Sequence, residues 1–138
     1  MSESPKAIVR AFYESDISKN ISEITNQFLH PDCELNWNNN TGYTKFNFND
    51  ITEFLNSLSV SFESARFQVS HLLQDGDFIT TRYTLFVTPI EDPEAEAAMA
   101  HYITIWEIKD GKLYRGHEIS QSADENKESL HSYLKIKV

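Results

Sequence analysis

The sequence has few residues of the kinds that cross-link a chain or bind nucleic acid. Its 138 residues include one cysteine, Cys33, which rules out an internal disulfide and a thiolate zinc site. Basic residues are also scarce, since 12 Lys and Arg stand against 21 Asp and Glu, for a net charge of −9. An acidic chain repels phosphate, so we expect no nucleic acid and no membrane surface among its partners.

Long apolar runs are missing as well. No stretch approaches the roughly 20 apolar residues of a membrane-spanning helix, and the amino-terminal segment lacks the apolar region of a secretory signal. Apolar bulk is nevertheless sufficient for a core, because 40% of the residues are hydrophobic and 12% are aromatic. We therefore expect one cytoplasmic domain over residues 1–138, with a core at 5–122 and a tail at 123–138.

Three helices are predicted in the first half of the chain. The first begins at Ser4-Pro5, because serine caps a helix and proline is tolerated in its first turn. The second begins near Asn20 and ends before Pro31, since the residue preceding proline avoids helical geometry. The third is predicted to begin at Asp50, where an acid three residues later completes a capping-box pattern.

Alternation of apolar and polar residues predicts strands in the remainder of the chain. Asp75-Gly76 and Asp110-Gly111 are typical of tight turns between antiparallel strands. Helices followed by such strands indicate an α+β fold, with about three helices packed on one face of a curved, mostly antiparallel sheet. The predicted strands cover residues 33–38, 65–74, 78–88, 99–109 and 112–121.

Several short motifs occur in a characteristic order. They are Ala11-Phe12-Tyr13, Phe28-Leu29-His30-Pro31-Asp32, the Gly76-Asp77 turn and Trp106-x-x-x-Asp110-Gly111-Lys112-Leu113. Together they resemble the SnoaL-like members of the nuclear transport factor 2-like superfamily over residues 5–122. The resemblance implies a cone-shaped apolar pocket, in a superfamily of polyketide cyclases, ketosteroid isomerases, epoxide hydrolases and ligand-binding domains. The fold alone does not choose among these functions.

The resemblance places three acid–base positions of these relatives on side chains that do not titrate near neutral pH. Thr104 stands where relatives often have a histidine, Gln121 where the cyclases have an acid, and Trp37 near the isomerase base. General acid–base catalysis requires a group whose pKa lies near the working pH. The oxyanion tyrosine of the isomerases falls near Tyr13, although helical spacing favours Phe12 as the inward residue.

Two histidines are then the candidates for proton transfer. His117 shares a strand face with Gln121, and His71 shares one with Phe67 and Val69, where a hydrogen-bonded core histidine is the competing interpretation. Alternation directs Glu118 away from His117, so we expect it to point outward unless the register slips by one residue. His101 is also expected on the outer face.

Two functional classes remain open. The first is a binding domain that holds a small, largely apolar or aromatic ligand without the acid–base residues of its relatives. The alternative is an enzyme of the isomerase, cyclase or hydratase type that uses His117 or His71. The predicted ligand-binding residues are Tyr13, Trp37, His71, Tyr83, Tyr102, Thr104, Trp106, His117 and Gln121.

A homodimer is expected through the outer face of the sheet. Apolar residues on that face would otherwise be exposed as a patch, although the tail from Leu134 to Val138 is an alternative cover. Neither a metal nor another cofactor is expected, because His71, His101 and His117 lack metal-ligand spacing. The apolar residues assigned to the outer face are Phe78, Phe86, Ile103 and Ile105.

Overall fold

The computed structural model describes residues 4–17, 19–124 and 126–138. Within these ranges the chain forms four helices and six strands. No helix of the described residues is long and apolar enough to cross a membrane. The elements, in chain order, are α1 (Pro5–Glu14), α2 (Ile21–Phe28), β1 (Leu29–Asn39), β2 (Gly42–Asn47), α3 (Phe48–Ser61), β3 (Ser64–Asp75), β4 (Phe78–Thr88), β5 (Ala97–Lys109), β6 (Lys112–Ser122) and α4 (Lys127–Tyr133).

The six strands form one curved sheet in the order β2-β1-β6-β5-β4-β3. All neighbours are antiparallel except β1 and β6, which run parallel. The first three helices contribute to one apolar core with the inner face of this sheet. The predicted α+β architecture is therefore confirmed.

The helix ends differ from the sequence prediction in instructive ways. Helix α2 ends at Phe28, and Pro31 lies inside β1 instead of marking the end of the helix. Helix α3 begins at Phe48 because the capping box uses Asn47 and Asp50. The Asn47 side chain accepts from the Asp50 backbone N–H, and the Asp50 carboxylate accepts from the Asn47 backbone N–H, each at 2.9 Å.

A β-bulge in β6 determines which of its side chains face the core. Leu113 pairs with Ile108, but Arg115 pairs with Glu107, so Tyr114 is an extra residue opposite one step of β5. One inserted residue reverses the alternation of everything that follows. Consequently the next inward residues after Leu113 are Gly116 and Glu118, while His117 and Gln121 point outward.

A second bulge in β3 has the same effect on His71. Val69 pairs with Tyr83 and His71 pairs with Arg82, which leaves Ser70 as the extra residue. Beyond the bulge Leu72 takes the buried position, with only 3% of its surface exposed. His71 is turned away from the inner face, and its Nδ1 lies 3.0 Å from the Ser70 hydroxyl.

The carboxy-terminal segment packs on the outer face and on one edge of the sheet. Tyr133 of α4 stacks on His101 with ring centroids 4.0 Å apart, and the Arg82 guanidinium lies 3.7 Å from the Tyr133 ring centroid. This contact buries His101, which lies on the outer face as expected. Further on, the Lys137 backbone N–H donates to the Ser70 carbonyl on the edge strand β3.

Candidate functional site

An apolar cavity lies between α1, α3 and the inner face of the sheet. Its volume is about 40 Å³, which is room for a few water molecules. One charged side chain, Glu118, contributes to a wall that is otherwise aromatic and aliphatic. The lining residues are Phe12, Tyr13, Leu35, Trp37, Phe46, Ile51, Phe54, Leu55, Phe67, Tyr83, Tyr102, Trp106 and Glu118.

Glu118 is a buried carboxyl group with two hydroxyl partners. The side chain projects inward from β6, and only 7% of the residue surface is exposed. The Tyr83 hydroxyl and the Thr104 hydroxyl both donate to Oε1, each at 2.7 Å. Among the described residues, the structure records no hydrogen bond to Oε2. The second carboxyl oxygen is therefore the one available to a bound molecule.

A chain of hydrogen bonds connects Glu118 to helix α1. The Trp106 indole N–H donates to the Tyr13 hydroxyl at 2.9 Å, and the Tyr13 hydroxyl donates to the Tyr83 hydroxyl at 3.2 Å. Tyr83 completes the chain by donating to Glu118. Since Tyr13, Tyr83 and Trp106 each expose 3% or less of their surface, the whole chain is shielded from solvent.

Burial sets the ionisation of this group of residues. Loss of hydration raises the pKa of Glu118 from 4.5 to about 7, against the opposing effect of the hydrogen bonds from Tyr83 and Thr104. Burial, followed by the proximity of Glu118, raises the pKa values of Tyr13, Tyr83 and Tyr102 above their ordinary range. The tyrosines therefore stay protonated, while the carboxyl group titrates near neutral pH.

Tyr102 provides a hydroxyl that is not committed within the protein. Its ring stacks on Tyr83 with centroids 4.8 Å apart and planes 7° from parallel. The structure records no hydrogen bond for the Tyr102 hydroxyl within the described residues. A protonated phenol is both donor and acceptor, so this group can bind a carbonyl or hydroxyl oxygen of a ligand.

Gly116 gives Trp106 the space that it occupies. A Cβ atom on Gly116 would lie 2.7 Å from Leu35 Cδ1 and 2.8 Å from Trp106 Cζ3. Such distances are well below van der Waals contact. The indole ring therefore lies directly against the backbone of β6, where its N–H reaches Tyr13.

Three aromatic residues of the cavity lining are only half-buried. Trp37 makes edge-to-face contacts with Phe46 and Phe54, with ring centroids 5.2 and 5.7 Å apart. The Trp37 indole N–H donates to the Ser120 hydroxyl at 2.8 Å. We call Trp37, Phe46 and Phe54 the aromatic gate.

A family model for the SnoaL-like domain matches residues 9–116. The chain belongs to the SnoaL-like family. Glu118 lies two positions beyond the matched segment. No curated protein sequence matches the chain.

Several solved structures have a similar fold. IdmH of Streptomyces antibioticus, a candidate polyketide cyclase, is 16% identical with a TM-score of 0.69, over 86% of this chain and 92% of that chain. An epoxide hydrolase of M. tuberculosis is 13% identical with a TM-score of 0.64, over 84% and 81%. A candidate ketosteroid isomerase of Kribbella flavida is 15% identical with a TM-score of 0.63, over 88% and 81%. At these identities the similarity shows the fold alone.

Five of the predicted ligand-binding residues line the cavity of this SnoaL-like domain. Thr104 lies beneath the cavity, where it is fully buried and bonded to Glu118. Helical spacing favoured Phe12 over Tyr13 as the inward residue, but both side chains are buried. The five lining residues are Tyr13, Trp37, Tyr83, Tyr102 and Trp106.

His71, His117 and Gln121 are not among the lining residues of the cavity. The bulge in β3 turns His71 away, and the bulge in β6 leaves His117 and Gln121 exposed on the outer face. The expectation that Glu118 points outward is wrong for the same reason. Gly116 was the available signal, because a glycine inside a strand pattern often marks a bulge.

Metal and thiol chemistry receive no support from the described residues. Within the part of the chain that the structure describes, no group of three or more His, Cys, Asp or Glu side chains could hold a metal ion. Cys33 is buried, and burial raises the pKa of its thiol to about 11. A thiol with so high a pKa is a poor nucleophile at neutral pH.

Proposed function

We propose that this SnoaL-like domain binds a small, largely apolar or aromatic carbonyl compound and moves a proton on it with Glu118. The observation that carries the proposal is a buried carboxyl group in the wall of an apolar cavity, with both recorded hydrogen bonds on one oxygen. The histidines of the sequence-based alternative have no part in it, because neither lines the cavity. Glu118 replaces them as the general base.

The proposed reaction is proton transfer next to a carbonyl group. Oε2 of Glu118 takes a proton from the carbon beside the carbonyl, and the electron pair of that bond moves through the carbon framework to the carbonyl oxygen. The Tyr102 hydroxyl donates to the oxygen on which charge develops. Glu118 then returns the proton to the same carbon or to another carbon of the enolate. A base with a pKa near 7 suits such a cycle at neutral pH.

The lining determines the class of ligand. Aromatic and aliphatic walls favour a planar apolar molecule, and the carboxylate disfavours a second negative charge. The present cavity is too small for such a ligand, at about 40 Å³. Entry therefore requires the aromatic gate to swing outward, and its edge-to-face contacts are weak enough to break on binding.

Deuterium exchange tests this function without knowledge of the natural substrate. The probe is 2-tetralone in D₂O, and NMR follows the loss of its α-proton signals with time. We expect the wild-type protein to accelerate exchange, Glu118→Gln to abolish the acceleration, and Tyr102→Phe to reduce it by about a hundredfold to a thousandfold.

His117→Asn is the matched control, because His117 is the neighbouring residue on β6 but is exposed on the outer face. It should exchange the probe at the wild-type rate. Exchange that persists in Glu118→Gln, or that is lost in His117→Asn, would refute the assignment of the base. Because 2-tetralone need not fit, a panel of cyclic and aromatic ketones is screened for binding by thermal shift first.

A binding domain without turnover is the second candidate. It is favoured by the hydrogen-bond chain, in which the protons of Tyr13 and Tyr83 are already committed within the protein. On this hypothesis a ligand at a hundred times its dissociation constant stabilises wild-type protein and Glu118→Gln alike, by about 2.7 kcal/mol. Binding of ketones without any exchange would favour this candidate.

We also propose that two copies associate through the outer face of the sheet. Ile103, Ile105 and Ile119 are 41%, 42% and 61% exposed there, a patch that a second copy would cover. Phe86 was predicted to belong to this patch, but it is buried beneath the Arg66 guanidinium and does not contribute to it. Light scattering should give about twice the mass of 15.9 kDa, and Ile119→Glu should return the monomer. A cytoplasmic location stays a prediction that cell fractionation tests.

A further inference from the structure

We infer that Trp106 is a positioning residue whose indole N–H sets the direction of the hydrogen-bond chain that ends on Glu118. This inference rests on the proposed function for its catalytic meaning, but its structural basis is independent of any substrate. Trp106 was predicted from the sequence as a ligand-binding residue. Its position at the start of the hydrogen-bond chain assigns it a more specific role than ligand contact.

The direction follows from the chemistry of the donors. An indole N–H can only donate, so the Tyr13 oxygen must accept at the 2.9 Å contact with Trp106. The single proton of Tyr13 is then directed to Tyr83, 3.2 Å away. The oxygen of Tyr83 accepts from Tyr13, and the Tyr83 proton goes to Glu118 at 2.7 Å, the shorter of its contacts with Glu118 and with Thr104 at 3.0 Å. Each link thus points toward the carboxyl group.

This direction determines where Glu118 holds a proton. Oε1 accepts from both Tyr83 and Thr104, two hydroxyls that also lie 3.0 Å from each other. While both donate to Oε1, neither accepts from it. A proton taken from a ligand is therefore held on Oε2. In the absence of the indole donor, Tyr13 and Tyr83 can both reverse, and a protonated Oε1 can donate to Tyr83.

The position of the indole is in turn determined by Gly116. The bulge at Tyr114 brings Gly116 to the inner face, where a Cβ atom would approach both Trp106 and Leu35 within 2.8 Å. Any side chain there must push the indole ring away from β6. Gly116 and Trp106 therefore act together on the same hydrogen bond.

The titratable groups that face Glu118 come from three elements. They are the hydroxyls of Tyr13 on α1, Tyr83 on β4 and Tyr102 on β5, all of which stay neutral because burial raises their pKa values. Among the residues that the structure describes, no charged side chain contributes to the pKa of Glu118. The direction of the hydroxyl protons is thus the variable that a substitution at Trp106 changes.

The experiment measures the Glu118 pKa by carbon-13 NMR of the side-chain carboxyl group, assigned by its loss in Glu118→Gln. Trp106→Phe removes the donor, and Tyr13→Phe removes the next link with the loss of one oxygen atom. Both variants should raise the Glu118 pKa by about one pH unit, because a hydrogen bond that stabilised the carboxylate can now stabilise the acid. Tyr13→Phe keeps the test decisive should Trp106→Phe fail to fold.

Trp37→Phe is the matched control. It makes the same change from indole to phenyl ring in the same cavity lining, but the Trp37 N–H donates to Ser120 and not to Tyr13. Equal pKa changes in Trp37→Phe and Trp106→Phe, or an unchanged pKa in Tyr13→Phe, would overturn the inference. The two proposals are tested separately. The Glu118 pKa tests this inference, and ketone exchange tests the proposed function, so a wild-type protein that does not accelerate exchange would refute only the proposed function.

Discussion

The stability of the protein should depend on pH through Glu118 in a direction opposite to that of a carboxylate in an ion pair. The pKa of Glu118 is about 7 in the folded protein, against 4.5 for an ordinary glutamate in water. The folded state therefore binds the proton more tightly than the unfolded chain. The contribution to stability is fully present below pH 4.5 and is lost as the pH rises to about 7.

The size of this effect follows from the difference between the two pKa values. A shift of that extent corresponds to a destabilisation on the order of 3 kcal/mol above pH 7. Glu118→Gln removes the charge and keeps an oxygen that accepts from Tyr83 and Thr104. We therefore expect this variant to be more stable than wild type at pH 8 by roughly 1 to 3 kcal/mol.

Urea denaturation between pH 4.5 and 9 measures the difference. The advantage of Glu118→Gln should shrink toward acidic pH, where the wild-type carboxyl group is itself neutral. Glu53→Gln on the exposed side of α3 is the control for the general effect of removing one negative charge. If the two variants show the same pH dependence, Glu118 is not a buried titrating group.

Three further predictions follow from the same geometry. Gln121→Asp should leave ligand binding and the Glu118 pKa unchanged in NMR titration, because Gln121 is exposed on the outer face; a change in either would place it at the cavity. Gly116→Ala should lower the free energy of unfolding by about 1 to 3 kcal/mol in urea, since both Trp106 and Leu35 must move; unchanged stability would contradict the close packing. Phe54→Ala should open the aromatic gate and speed association of ketone probes in stopped-flow fluorescence; a slower association would show that ligands enter elsewhere.

Much of the fold was predictable because its signals are local. Asp75-Gly76 and Asp110-Gly111 mark turns wherever they stand between alternating strands, and both glycines adopt the positive φ that such turns require. Strand β2 and helix α4 were missed. The polar pattern of residues 42–47 is typical of an exposed edge strand, which carries little periodic signal.

The candidate site was only half predictable, and the missing half was its chemistry. Alternation along β5 correctly placed Tyr102, Thr104 and Trp106 on the inner face. Along β6 the same reasoning selected His117 and rejected Glu118. A glycine within the strand was the only hint that the phase would change there.

The sequence by itself determined the α+β class, the turns, the acidic character and the aromatic lining of the cavity, because each depends on residue type and near neighbours. Only the tertiary structure decided which titratable group enters that cavity. The bulge at Tyr114 exists through the pairing of β6 with β5, and the space at Gly116 exists through Leu35 and Trp106, which come from two other strands. Contacts between residues so distant in the chain leave no periodic pattern in the sequence. The bulge in β6 therefore places Glu118 in the core, where alternation alone predicts a surface residue.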